Sequence, residues 1–341
     1  MTTTQAATGT DVRDFAETGR AAASSRGAGA TRAESSGSSL VVLLQTAARE
    51  RAGRARLALG AAALALLGLI FCGNLRQFLH VWSNDDNYSH GFLVPLISLY
   101  FANQAAARGP LKIEGGVAIG VVLLVVSVLG RLATIVVPVG FAGDLSFVLG
   151  LTGLCALAFG RRALRRFAFA LFFLVFMIPL PVALYAAVAT PLQLWVSQVA
   201  SSILNAVGVP VLCEGNMMTL PGNIRMFVAE ACSGMRQLTG FLALTAAVAY
   251  LSPRPPWYRA VVVLSAAPIA LTANLARVVV TGVIMYGLDP SYAEGTFHTL
   301  EGLLLMALGL GMLRAECAVL DLLAAPTAAI EPATRTRPAP I

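Results

Sequence analysis

The chain has 341 residues, 57% of them hydrophobic and only 12% charged, with a formal net charge of +7. Such a composition excludes a water-soluble domain, and the apolar residues come in long runs rather than in alternation. The positive balance sits in the gaps between those runs, which sets nucleic acid aside as a partner and brings in a lipid bilayer instead.

Residues 1–50 are rich in Ala, Gly, Ser and Thr and show no sustained period, so they read as a disordered cytoplasmic tail. They lack the basic start and early apolar core of a secretory signal. From 51 to 316 the pattern predicts one membrane domain. Eight apolar runs reach or approach the roughly 20 residues that cross a bilayer. They are 57–73, 91–107, 115–137, 145–160, 167–188, 235–251, 260–287 and 299–313. The second, fourth and eighth are short, which leaves tilted pairs and re-entrant segments among the readings. Residues 317–341, Pro- and Thr-rich toward their end, read as a second cytoplasmic tail. The expected fold is an all-α polytopic membrane protein with about eight transmembrane helices.

Eight crossings from a cytoplasmic N-terminus place the basic connections together. Arg51, Arg54 and Arg56 precede the first run, and Arg108 and Lys112 follow the second. Arg161, Arg162, Arg165 and Arg166 follow the fourth, Arg254 and Arg259 the sixth, and Arg314, Arg335 and Arg337 the eighth. All fall on one side, as positive-inside sorting requires. The expectation is a multi-pass protein of the plasma (inner) membrane with both termini cytoplasmic. The opposite connections carry Arg76, Arg225 and Arg236, while Arg131 and Arg277 lie inside runs.

Polar residues collect on the extracytoplasmic side. One connection, 74–90, contains Asp85, Asp86, Asn87, Tyr88, Ser89 and His90. The other, about 189–233, begins with Gln193, Ser197, Ser201 and Asn205 at four-residue spacing, opposite Leu192, Trp195, Val199 and Ile203. That pattern predicts a small amphipathic helix in the interface, starting at Pro191 and ending at Gly208–Pro210. Short apolar pieces at 211–213, 217–220 and 224–228 follow, separated by the turn sequences Glu214-Gly215-Asn216 and Pro221-Gly222-Asn223. They predict a β-meander that leads into Cys232. It is either a surface cap or a platform that fixes the thiol and lays out an extended substrate strand.

Cys232 precedes the helical run that begins at Met235, so its thiol faces the positive end of a helix dipole. Arg236, four residues on, shares that face and adds to the effect. A stabilised thiolate is a nucleophile, whereas a buried structural cysteine is the plain alternative. Arg277 lies inside an apolar run with Asn274 one turn before it. A guanidinium there costs at least ~2.5 kcal/mol, so it either faces a polar cavity or pairs with Glu230, Glu301 or a backbone carbonyl. His298 opens the last run, placed as a general acid or base, with Glu301 one helical step away to orient the ring. The histidines His80, His90 and His298 come from separate segments without metal-ligand spacing, so no metal and no cofactor are expected. The five cysteines do not form a disulfide framework, although a Cys213–Cys232 bridge is left open.

The chain contains Asp86-Asn87-Tyr88-Ser89-His90-Gly91-Phe92-Leu93-Val94-Pro95, Met177-Ile178-Pro179-Leu180-Pro181, Gly215-Asn216, Ala231-Cys232-Ser233-Gly234-Met235-Arg236, Ala273-Asn274-Leu275-Ala276-Arg277 and Phe297-His298 in this order. Together these blocks resemble the exosortase/archaeosortase family of polytopic membrane cysteine transpeptidases. The resemblance covers about residues 80–313. It implies that Cys232 is the nucleophile, Arg277 stabilises the tetrahedral intermediate and His298 is the acid/base. His90 is carried only as part of a matching block. The implied substrates are exported proteins ending in a short motif (often Pro-Glu-Pro), one transmembrane helix and a basic tail. They are cleaved outside the membrane through a thioester and passed to an unknown acceptor. Two other classes stay open. A transporter would break helices with prolines such as Pro179, Pro181 and Pro268, and would show inverted repeats. A non-catalytic assembly factor would tolerate Cys232→Ala.

Overall fold

The computed structural model describes residues 40–49, 51–109, 115–137, 140–228, 235–287 and 296–324, with side chains in the last stretch described from 302. Helix α1 (Leu40–Arg49) lies within the segment expected to be an unstructured tail. Then come α2 (Arg51–Ile70) and α3 (Cys72–Asn84), which share helical hydrogen bonds across Phe71. A 3-10 helix, Asp86–Phe92, leads into α4 (Leu93–Ala106). Helices α5 (Val117–Val136) and α6 (Gly140–Arg166) form the next pair. Short α7 (Ala168–Phe173) tightens into a second 3-10 turn, Leu174–Met177. Helix α8 (Val182–Ala206) precedes the small sheet, and α9 (Met235–Leu251), α10 (Pro256–Leu264), α11 (Ala266–Gly287) and α12 (Thr296–Leu323) complete the order.

This is a polytopic membrane protein. Among the described residues six helical stretches are long and apolar enough to cross a bilayer: Arg51–Ile70, Val117–Val136, Gly140–Arg166, Val182–Ala206, Pro256–Gly287 and Gly302–Leu323. The difference from eight runs has three sources. The second run is the 14-residue α4, extended by the 3-10 helix before it. The sixth run is the 17-residue α9. The fifth run, 167–188, is not one helix: it breaks at Ile178–Pro181, and its end belongs to α8.

The amphipathic helix expected from Pro191 is the second half of the 25-residue α8, which passes through Pro191. Membrane helices tolerate such a proline because neighbouring helices and local backbone adjustment re-satisfy the freed carbonyl. The polar face is turned inward. Gln193, Ser197 and Ser201 are buried, while Trp195 and Leu194 are exposed. That is the arrangement a hydrocarbon solvent demands.

The sheet is a three-stranded antiparallel meander, β1 (Leu212–Glu214), β2 (Met217–Leu220) and β3 (Ile224–Phe227), as the turn sequences predict. Gly215 (φ 65°) opens its first turn, and Gly222 and Asn223 (φ 81° and 61°) supply the second. Met218, Leu220, Met226 and Val228 pack under it against Val196, Ala200 and Leu204 of α8 and Val278 of α11. Asn205 closes α8 onto the sheet, accepting from Val211 N–H at 2.9 Å and donating to Val211 O at 3.1 Å.

Basic residues gather at one end of the bundle. Arg108 donates to the Tyr250 hydroxyl (3.2 Å), Arg166 to Gly109 O (2.6 Å), and Arg254 pairs with Asp321 (3.0 Å). These contacts tie the ends of α4, α6, α9 and α12.

Candidate active site

The end opposite the arginines is built from sequence blocks far apart in the chain. Trp82, at the end of α3, donates its indole N–H to Met177 O at 3.0 Å. The Tyr88 hydroxyl accepts from Leu180 N–H at 3.1 Å. The His90 ring lies against the backbone of Phe176 and Asn87. The Asp86–Phe92 turn is thereby laced to the Met177–Pro181 break. Gly91 makes this possible, because a Cβ there would overlap the Trp82 indole. The indole itself stacks on Phe78 at 5.6 Å and meets Phe92 edge-on at 5.3 Å.

The same turn holds the start of α9. Arg236 pairs with Asp86 at 3.1 Å. Its guanidinium thus reaches a carboxylate 150 residues earlier in the chain. Met235, beside it, is buried against Tyr185, Ala189, Leu180 and Leu192 around the first turns of α8. On the other flank, Val228 N–H donates to Asn216 O at 2.9 Å, and Asn216 Nδ2 reaches Gln193 Oε1 at 3.4 Å. Cys232 lies in 229–234, outside the described residues, between these two anchors. Cys213 is a free thiol beside Gly215 O, and Cys232, the partner left open for it, lies outside the described residues.

Helices α9, α11 and α12 share a buried cluster that includes Phe241, Ile269, Ala270, Leu313 and Leu320. A Cβ at Gly309 would overlap the Phe241 ring, so α12 crosses α9 there in close contact. The Tyr258 hydroxyl approaches Cys317 O, which fixes α12 antiparallel to α10 and α11. Met235 comes six residues before Phe241 in α9, Arg277 seven after Ala270 in α11 and His298 eleven before Gly309 in α12, so all three lie on the same side of the shared cluster.

Arg277 is 3% exposed and Asn274 fully buried, both on the packed face of α11. The side chains of His298 and Glu301 are outside the described residues. His90 is partly buried, and desolvation holds its imidazole below its ordinary 6.5, against the opposing pull of the Phe176 and Asn87 backbone. Burial raises the Tyr88 phenol, against the opposing bond from Leu180. Among the described residues no group of three or more His, Cys, Asp and Glu is placed to hold a metal.

Sequence reasoning quoted the blocks around Asp86 and Met177 without giving them a structural part. Trp82, Tyr88 and Asp86 are what clamp them, and a Trp-to-backbone or Asp–Arg pairing across such distances leaves no local pattern in the chain.

A model of the transmembrane exosortase family (EpsH) matches residues 82–315, well over half of the chain. No curated protein and no solved structure matches. The match begins at Trp82, the first residue of the clamp, and ends at Ala315, where α12 passes the shared helical cluster. The chain belongs to the transmembrane exosortase family.

Proposed function

We propose that this protein is a cysteine transpeptidase that cleaves the C-terminal sorting signals of exported proteins, of the PEP-CTERM kind, at the outer interface of the plasma membrane. The observation that carries this reading is that Met235, Arg277 and His298 lie on the same side of the helical cluster, toward the end opposite the arginine-tied end. Basic ends face the cytoplasm by positive-inside sorting, so both termini are cytoplasmic and the chemistry is extracytoplasmic.

The Cys232 thiolate attacks the scissile carbonyl, and the tetrahedral oxyanion is stabilised by Arg277. The C–N bond breaks as His298 gives its proton to the leaving amine, which stays on the membrane-anchored fragment. The exported protein is left as a thioester on Cys232. An acceptor nucleophile then attacks that thioester, loses its proton to His298 and frees the thiol. Arg277 is suited to the oxyanion role because a desolvated guanidinium acts in a low dielectric, an effect on the order of 3 kcal/mol. Asn274 holds the same face of α11, and Glu301 orients His298. The substrate helix lies against α9, α11 and α12 with its basic tail at the arginine-rich end.

The experiment is processing of a co-expressed exported reporter ending in a motif, a transmembrane helix and a basic tail. Cys232→Ala at matched membrane levels is expected to abolish the size shift, and equal processing would sink the assignment. Arg277→Lys is expected to lose at least about 100-fold in rate, since a forked donor becomes a point charge. Near-normal processing by that variant would remove Arg277 from the chemistry.

A further inference from the structure

Among the described residues the sheet has an edge that pairs with no strand. Val228 N–H bonds to Asn216 O, so Val228 and Asn216 form a hydrogen-bonded pair. The register then alternates through Met218↔Met226 and Leu220↔Ile224 as bonded pairs, with Met217↔Phe227 and Thr219↔Arg225 between them. The main-chain N–H and C=O of Arg225 and Phe227 therefore point away from β2, toward an edge bordered by no strand among the described residues. The side chains follow the same alternation. Met226 and Ile224 pack beneath the sheet, whereas Arg225 is exposed and Phe227 is 54% exposed on the other face. Arg225 makes no ion pair among the described residues.

We propose that β3 is the docking strand for the substrate: an extended acidic peptide adds to it antiparallel, with its carboxylate opposite Arg225. This rests on the function proposed above and names how that site holds its substrate. Residues directly opposite in an antiparallel pair share a face, so the acid meets the Arg225 guanidinium while its own N–H and C=O bond to Arg225. An acid between two prolines fits this edge without loss. Its neighbours turn their nitrogens to the far side, where a missing N–H breaks no bond with β3. The residue two positions N-terminal to the acid falls opposite Phe227, on the side of the chain that leads through Val228 to Cys232.

Two kinds of variant test the docking, with processing of a reporter ending in Pro-Glu-Pro, a transmembrane helix and a basic tail as readout. Arg225→Pro removes an N–H that β2 does not use, so it leaves the β2–β3 ladder whole. It is expected to slow processing about tenfold or more, through the lost main-chain bond and the lost charge pair. Arg225→Glu is expected to slow it similarly, and a reporter with the motif Glu→Arg is expected to be processed by Arg225→Glu but not by wild type. Where Arg225→Pro does not accumulate in the membrane, the charge exchange decides. Wild-type rates in Arg225→Glu, or a loss that the reversed reporter does not restore, would overturn the docking. A folded Arg225→Pro that processes normally would overturn the strand pairing. In each of those cases Cys232→Ala still abolishes processing if the proposed function holds, so the two failures are distinguishable.

Discussion

At the residue scale, the site end is held by single atoms whose loss has a definite sign. The Tyr88 hydroxyl is the acceptor for Leu180 N–H within a side chain only 7% exposed. Tyr88→Phe leaves that donor without its partner and is expected to cost about 1–3 kcal/mol. A thermal midpoint in detergent equal to wild type would contradict this. His90 acts in the opposite sense to an ion-paired histidine. Burial lowers its folded value below the ordinary 6.5, so the neutral ring stabilises the fold. That contribution is complete above the unfolded value and is lost as the pH falls through the lower, folded one. The wild-type midpoint is therefore expected to drop more than that of His90→Asn between about pH 7.5 and about pH 5, with unfolding followed in detergent. Parallel pH profiles would show that His90 does not titrate against the fold. The Asp86–Arg236 pair is different in kind. Asp86 is 80% exposed, so the pair aligns the turn with α9 and adds little stability.

At the scale of elements, α12 packs on α11 and α10, and its Gly309 closes against the Phe241 ring of α9. That crossing helps to seat the helix that carries His298. Gly309→Ala places a methyl group into the Phe241 ring. The expected result is about 1–3 kcal/mol of destabilisation and slower processing, both relieved by Phe241→Leu in the same chain. Unchanged processing by the single variant would mean that the crossing does not position His298. The elements also show where sequence reading succeeds and fails. The meander was legible because its turn residues demand particular φ values and its strands are short and apolar. The length of α8 was not, because Pro191 is a good first residue of a water-soluble helix yet is tolerated inside a membrane helix among Ala186, Ala187 and Ala189. The start of α6 was also missed, since a carboxylate at Asp144 interrupts the apolar pattern. In the fold its carboxylate accepts from Asn74 Nδ2 at 2.7 Å and stays buried within the helix.

At the scale of the molecule, the chain is inverted for a hydrocarbon solvent and polarised along its length. Large apolar side chains such as Leu69, Ile135 and Leu304 are exposed, while Asn74, Asp144, Gln193, Asn274 and Arg277 are buried. Arginines tie one end, and the Trp82–Met177 and Tyr88–Leu180 clamps close the other. The candidate site was legible as residue types, a thiol, a guanidinium and an imidazole on successive helices, before any fold was known. The clamps that close this end were not, because Trp82–Met177 and Tyr88–Leu180 join residues more than ninety positions apart. The central claim is an acyl-enzyme on Cys232, and the direct measurement is to look for it. Wild-type membranes carrying the reporter and lacking an acceptor are resolved under non-reducing conditions and treated with hydroxylamine. The expected result is a covalent adduct of the reporter on this chain, released by hydroxylamine and absent from Cys232→Ala. Cleaved reporter in both chains, with no adduct in either, would contradict the account.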